Sequence, residues 1–234
     1  MTVTLDDIKQ AYQRIQPYIH CTPILQSTQL NKLFTCELFF KADNMQKVGA
    51  FKARGACNAL FSMTQEVLAN GVITHSSGNH GAALAWAAAM RNASCTVVMP
   101  ENAPQAKKDA VVSYGATVVY CEPTMTAREG TVTRLIEQQG ARLVHPYDDD
   151  LIIAGQGTAT LETLAQLDKP ADVLMTPVGG GGLLGGSAIV VKQSPHAGVT
   201  RVIGAEPEAA NDAWLGFRSG TRLAEFVPNT IADG

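Results

Sequence analysis

Basic residues are not in surplus: 18 Lys and Arg stand against 21 Asp and Glu, for a formal charge of −3. Without clustered cations there is no general attraction for phosphate backbones or anionic lipid, so neither nucleic acid nor a membrane surface is an expected partner. Long apolar runs are lacking as well. The longest uncharged one, residues 82–90, is far shorter than a membrane span, and Asp6 and Asp7 stand where a signal peptide would carry its apolar segment. The five cysteines Cys21, Cys36, Cys57, Cys95 and Cys121 include no CxxC pair, and an odd count does not complete a disulfide framework, so a reducing cytoplasm is the expected setting. His20, His75, His80, His145 and His196 form no HExxH or similar spacing, and none is expected to bind a metal.

What is present is a chain of 234 residues, 46% apolar and 17% charged, enough for one sizeable core or two small domains. Thr4 followed by Asp7 marks a helix start, and Ile8, Tyr12, Ile15 and Ile19 recur on one helical face. Beyond them, short β-branched or apolar runs at 72–74, 96–99, 117–120, 143–144, 173–176 and 202–203 alternate with longer Ala-rich stretches. That alternation predicts βαβ units and an α/β fold of mostly parallel sheets flanked by helices, the strands buried on both faces. Trp86 and Met90, four apart, are expected in the core, and Asp148-Asp149-Asp150 is read as a solvated turn. No helix or strand finishes the last unit before Gly234, so the fold is expected to be C-terminally incomplete.

Two turns at strand ends carry the chemistry, since ligands of open α/β sheets sit outside the carboxyl ends of the strands. The first is Ser76-Ser77-Gly78-Asn79-His80-Gly81, whose hydroxyls and backbone N–H groups at a helix start suit a carboxylate. The second is Pro177-Val178-Gly179-Gly180-Gly181-Gly182-Leu183, where consecutive glycines let N–H groups converge on an anion at the next helix. Gly180, Gly182 and Gly185 also satisfy GxGxxG, with Glu206 placed as a ribose-binding acid, so local spacing leaves an NAD-dependent oxidoreductase open beside a single-phosphate cofactor. Lys52, in Lys47-Val48-Gly49-Ala50-Phe51-Lys52-Ala53-Arg54-Gly55-Ala56, favours the second. An amine among small and apolar residues has a lowered pKa, which suits it to form a Schiff base and then to move a proton. A fragment that only binds a ligand is the third reading.

The Lys52 segment, the Ser76-to-Gly81 turn and the glycine run, in that order, resemble the three signature blocks of the fold-type II pyridoxal phosphate enzymes. Similarity to the serine racemase and serine/threonine dehydratase branch extends over nearly the whole chain. It runs from Thr22-Pro23 through Ala154-Gly155-Gln156-Gly157-Thr158 to Thr230-Ile231-Ala232-Asp233-Gly234. The resemblance implies two open, mostly parallel twisted sheets: a large cofactor-binding domain of residues 1–68 and 153–234, and a small mobile domain of residues 69–152. Lys52 is then the covalent anchor of pyridoxal 5′-phosphate, flanked by Phe51, with Asn79 bonded to the ring's phenolic oxygen and Gly179, Gly180, Gly181, Gly182 and Leu183 around the phosphate. Ser76, Ser77, Gly78, Asn79 and His80 would bind the substrate carboxylate.

The activity implied is deamination of L-serine or L-threonine to a 2-oxo acid and ammonia, with serine racemisation or a 3-hydroxyaspartate substrate as variants. Ser77 matches the serine that in racemases supplies a proton to the face opposite the lysine, where many dehydratases have alanine. Glu206, Ala210 and Asp212 match a divalent-cation site for Mg2+ or Ca2+, and a homodimer is implied. Lys47, Ser27, Thr28 and Tyr114 fall at a nucleotide effector site, but Val48 and Gln29 depart from its pattern and argue against ATP regulation. Ala50 stands where serine or threonine is common. The family's closing segment, which supplies a hydroxyl or thiol to the ring nitrogen, has no counterpart here.

Overall fold

The first helix follows from its opening residues. In the computed structural model, which describes residues 3–223, 226 and 230–232, Thr4 Oγ1 accepts the Asp7 N–H while the Asp7 carboxylate accepts the Thr4 N–H at 2.8 Å, a reciprocal cap. Helix α1 (Leu5–Ile15) buries Ile8, Ala11 and Ile15. Ile19, beyond the last residue of the helix, is buried with Ile15 and Cys57 in one cluster. Asn229, Asp233 and Gly234, all in the closing stretch, lie outside the described residues.

The remaining elements follow in order: β1 (Ile24–Leu25), α2 (Thr28–Phe34), β2 (Phe40–Lys41), α3 (Lys52–Ser62), α4 (Gln65–Leu68), β3 (Val72–His75), α5 (Asn79–Met90), β4 (Cys95–Pro100), α6 (Gln105–Ser113), β5 (Thr117–Cys121), α7 (Met125–Gln139), β6 (Arg142–Leu143), α8 (Asp150–Gln166), β7 (Val173–Pro177), α9 (Gly182–Lys192), β8 (Arg201–Ala205) and α10 (Asp212–Ser219). Strands β3 to β6 form one parallel sheet in the order β5-β4-β3-β6; β7 and β8 pair in parallel, and β1 with β2 antiparallel. The α/β class with parallel sheets flanked by helices is as the alternation predicts.

Burial follows the pattern in the four-stranded sheet and departs from it elsewhere. β3 is buried throughout and β4 almost so, as strands covered on both faces should be. Among the described residues β7 pairs only with β8, and Val173 and Met175 are exposed, so the expectation of a fully buried strand is corrected there. α5, apolar all round, is a buried helix packed on α3 through Ala56, Ala59 and Leu60. Trp86 is half-buried against that cluster, whereas Met90, at the last position of α5, is exposed rather than core. Asp149 is more than a solvated turn: its carboxylate accepts the Leu151 and Ile152 N–H groups and caps α8.

Three helices meet at backbone distance. A Cβ on Gly155 of α8 would come within 2.5 Å of the Gly55 Cα of α3, and one on Gly186 of α9 within 2.6 Å of the Ile153 carbonyl. Gln156 closes the first contact, its Oε1 accepting the Gly55 N–H at 3.2 Å. α8 therefore fixes the start of α3, which carries Lys52, relative to α9, which follows the glycine run.

Beneath Lys52 lies a buried ion network that the sequence pattern does not reveal. Arg54, fully buried, donates from Nε and Nη2 to both oxygens of Asp43 (2.8 and 2.9 Å), from Nη1 and Nη2 to both oxygens of Glu162 (3.2 and 3.1 Å), and to Thr22 Oγ1. Lys41 Nζ also bonds Glu162, which leaves two cations against two carboxylates. Burial alone would raise both acids; the Arg54 charge and its hydrogen bonds outweigh it and hold Asp43 and Glu162 below the usual carboxylate range.

Candidate active site

Parallel strands bring the two turns and the lysine to one end of the sheets. β3 and β6 are neighbours, so His75 at the end of β3 and His145 just past β6 sit side by side with ring centroids 5.5 Å apart. The Ser76-to-Gly81 turn leaves β3, and Ser76 Oγ accepts the Gly78 and Gly81 N–H groups at 3.1 and 3.0 Å, which folds the turn at the start of α5. Ser76 and Gly78 are buried, Ser77 half-buried and Asn79 exposed. His80 is fully buried; burial first, then the nearby Lys52 charge, pushes its pKa down to about 3, so its imidazole is neutral.

Lys52 lies at the first position of α3 with its Nζ 5.4 Å from the Phe51 ring centroid. Burial lowers its pKa from 10.5 to about 8, and Nζ donates to the Pro146 carbonyl at 2.8 Å. The next residue, Tyr147, reaches the glycine run. A Cβ on Gly180 would come within 2.0 Å of Tyr147 Cγ, and one on Gly182 within 3.1 Å of the Tyr147 carbonyl. Two consecutive residues thus bridge the amine and the cradle. At the cradle itself Gly181 takes φ 85°, a left-handed conformation that favours glycine, and α9 starts without any side-chain cap, leaving its first N–H groups free to meet an anion. An amine of lowered pKa, linked through Pro146 and Tyr147 to an uncapped glycine turn, suits a small phosphorylated aldehyde.

A match to the family model described as pyridoxal-phosphate dependent enzyme covers residues 15–234. The chain belongs to that family. Among curated relatives of this pyridoxal-phosphate family, it is 50% identical to the serine racemase of Dictyostelium discoideum, over 100% of this chain and 72% of the relative. It is 47% identical to the beta-hydroxyaspartate dehydratase of Paracoccus denitrificans (strain Pd 1222), over 99% and 72%. The crystal structure of the T.th. threonine deaminase superposes with a TM-score of 0.89 at 43% identity, covering 97% of this chain and 73% of that one.

The carboxylate that GxGxxG would direct to a ribose is engaged elsewhere. Glu206 accepts the Ala213 and Trp214 N–H groups at 3.1 and 2.9 Å and so caps α10, and the pyridoxal-phosphate family membership overturns the NAD reading. Ala210 ends a short 3-10 turn and Asp212 opens α10; among the described residues no group of three His, Cys, Asp or Glu comes together as a metal site. The spacing of the sequence did not reveal His145 and Tyr147 as site residues. The Pro between them was the available signal, since a strand end followed by X-Pro is a fixed turn.

Proposed function

We propose that the chain eliminates ammonia from L-serine or L-threonine to give the 2-oxo acid, and that it also racemises serine. The observation that carries this reading is the half-buried Lys52, its amine joined through Pro146 and Tyr147 to the uncapped glycine turn of α9. When bound, pyridoxal 5′-phosphate supplies a conjugated ring that draws electrons from the substrate α carbon. Gly179, Gly180, Gly181, Gly182 and Leu183 hold its phosphate through backbone N–H groups, Asn79 its phenolic oxygen, and Phe51 packs beside it. Ser76, Ser77, Gly78, Asn79 and His80 bind the substrate carboxylate. Lys52 would be the covalent anchor of the cofactor and, as a free amine, the base that takes the substrate α proton. Ser77 gives a proton to the opposite face. Residues 69–152 act as a small domain that closes on residues 1–68 and 153–234 and excludes water.

A 3-hydroxyaspartate substrate is the second reading, supported by the identity to the Paracoccus dehydratase. The same resemblance puts Mg2+ or Ca2+ at Glu206, Ala210 and Asp212 and makes the protein a homodimer; the unpaired cysteines favour a cytoplasmic setting, and Val48 and Gln29, which depart from the family's nucleotide site, argue against an ATP effector. Support for the cation comes from the resemblance alone, because Glu206 spends both oxygens on α10.

The test is spectroscopic. Added pyridoxal 5′-phosphate should colour the protein, borohydride should fix it on the Lys52 peptide, and ammonia should appear from serine. The rate of attachment should rise about tenfold per pH unit up to pH 8 and level off above it, following the neutral amine. Colourless protein with no modified Lys52 sinks the reading. Ser77→Ala is expected to cut exchange of serine enantiomers by about 10²-fold or more, the contribution of a positioned acid, while ammonia release stays within about tenfold. Equal loss of both activities, measured by chiral chromatography and ammonia assay, would remove Ser77 from that role.

A further inference from the structure

We infer that His145 is a positioning residue whose neutral imidazole holds the Pro146–Tyr147 turn, and through it sets the Lys52 amine against the glycine cradle. The inference rests on the reading of Lys52 and the cradle proposed above. His145 Nδ1 accepts the Asp148 N–H at 2.9 Å and the Tyr147 N–H at 3.4 Å. A ring nitrogen accepts only when it carries no proton, so these bonds require the tautomer protonated on Nε2. The ring is held edge-on between His75, at 5.5 Å, and Tyr147, at 4.6 Å between centroids. The turn so shaped is the one that offers the Pro146 carbonyl to Lys52 Nζ and lays Tyr147 on Gly180.

A proton arriving on Nδ1 would turn that acceptor into a donor facing two N–H groups, and both bonds would be lost. Burial holds the imidazole below its ordinary pKa and Arg222 opposes the charge too, whereas Asp148 and Asp149 of its own turn and Glu129 of α7 favour it. His75 of β3 is itself repelled by a charge on His145, and is held down to about 4, chiefly by its own burial. The neutral form therefore dominates at neutral pH and the turn gives way in acid. Nothing in the proposed chemistry consumes a proton at His145; its effect on the reaction runs through the turn alone.

The experiment compares wild type with His145→Asn, whose side-chain oxygen can accept as Nδ1 does but does not titrate, and His145→Leu, which cannot accept. The rate of covalent attachment of pyridoxal 5′-phosphate to Lys52 is followed from pH 5 to pH 9, with circular dichroism and urea unfolding recorded alongside. Below pH 8 the logarithm of that rate should climb with a slope of about one in both wild type and His145→Asn, and in wild type only it should steepen towards two in the acid range, below the ordinary pKa of an imidazole. His145→Leu should attach cofactor about tenfold more slowly at pH 8 while folded. The inference is overturned if His145→Asn shows the same steepening as wild type, or if folded His145→Leu attaches cofactor at the wild-type rate. Should His145→Leu fail to fold, the slope of His145→Asn decides alone. Absence of attachment in wild type would instead strike down the reading of Lys52, and this inference with it.

Discussion

Lys52→Met is expected to abolish borohydride-trapped cofactor and to lower ammonia release from serine by about 10⁴-fold or more, the upper end of what one positioned base contributes. The size follows from the double duty proposed for a single nitrogen, as anchor and base. The same substitution should not weaken the fold. Burial lowers the Lys52 pKa from 10.5 to about 8, so the unfolded chain holds the proton more tightly and the lysine lowers stability wherever it must be charged. At about 1.4 kcal/mol per unit, removing that amine is worth on the order of 3 kcal/mol at neutral pH. The gain should shrink between pH 8 and pH 10.5 and vanish above. Urea unfolding at pH 7 and pH 10.5 checks the sign: a variant less stable than wild type at pH 7 would mean that the Pro146 hydrogen bond outweighs desolvation.

Arg54→Met should be the most damaging change outside the reacting groups. It leaves Asp43 and Glu162 facing each other in the interior with only Lys41 to balance them, and breaking a buried ion pair from one side costs about 3–5 kcal/mol. Arg54→Met combined with Glu162→Met removes charges of both signs and is expected to recover most of the loss, measurable as the urea midpoint of each variant. If the double variant is as weak as the single one, the network holds the helices together by more than charge balance.

Much of the architecture could be read in advance because buried parallel strands leave a plain mark. Val72-Ile73-Thr74 and the apolar run at 96–99 are continuous apolar or β-branched segments, and β3 and β4 lie where those runs fall. β1 and β2, two residues each, are too short to leave a period. Arg54 escaped notice because charged side chains are by default assigned to solvent; its partners Asp43 and Glu162 are 11 and 108 residues away, and no local pattern joins them. Glycines in the middle of α8 read as weak points of a helix, and only the neighbouring helices show that they are contact points. Within the site, Lys52, the Ser76 turn and the glycine run were legible as blocks. The turn from His145 to Tyr147 was not, since its significance comes from what lies across from it in space.

Because α8 touches α3 and α9 with bare backbone, no methyl group can be added at Gly155 or Gly186 without pushing two helices apart. The register between the start of α3, with Lys52, and the start of α9, after the glycine run, is thereby set by backbone contact, so a side chain added at this seam would move both helix starts at once.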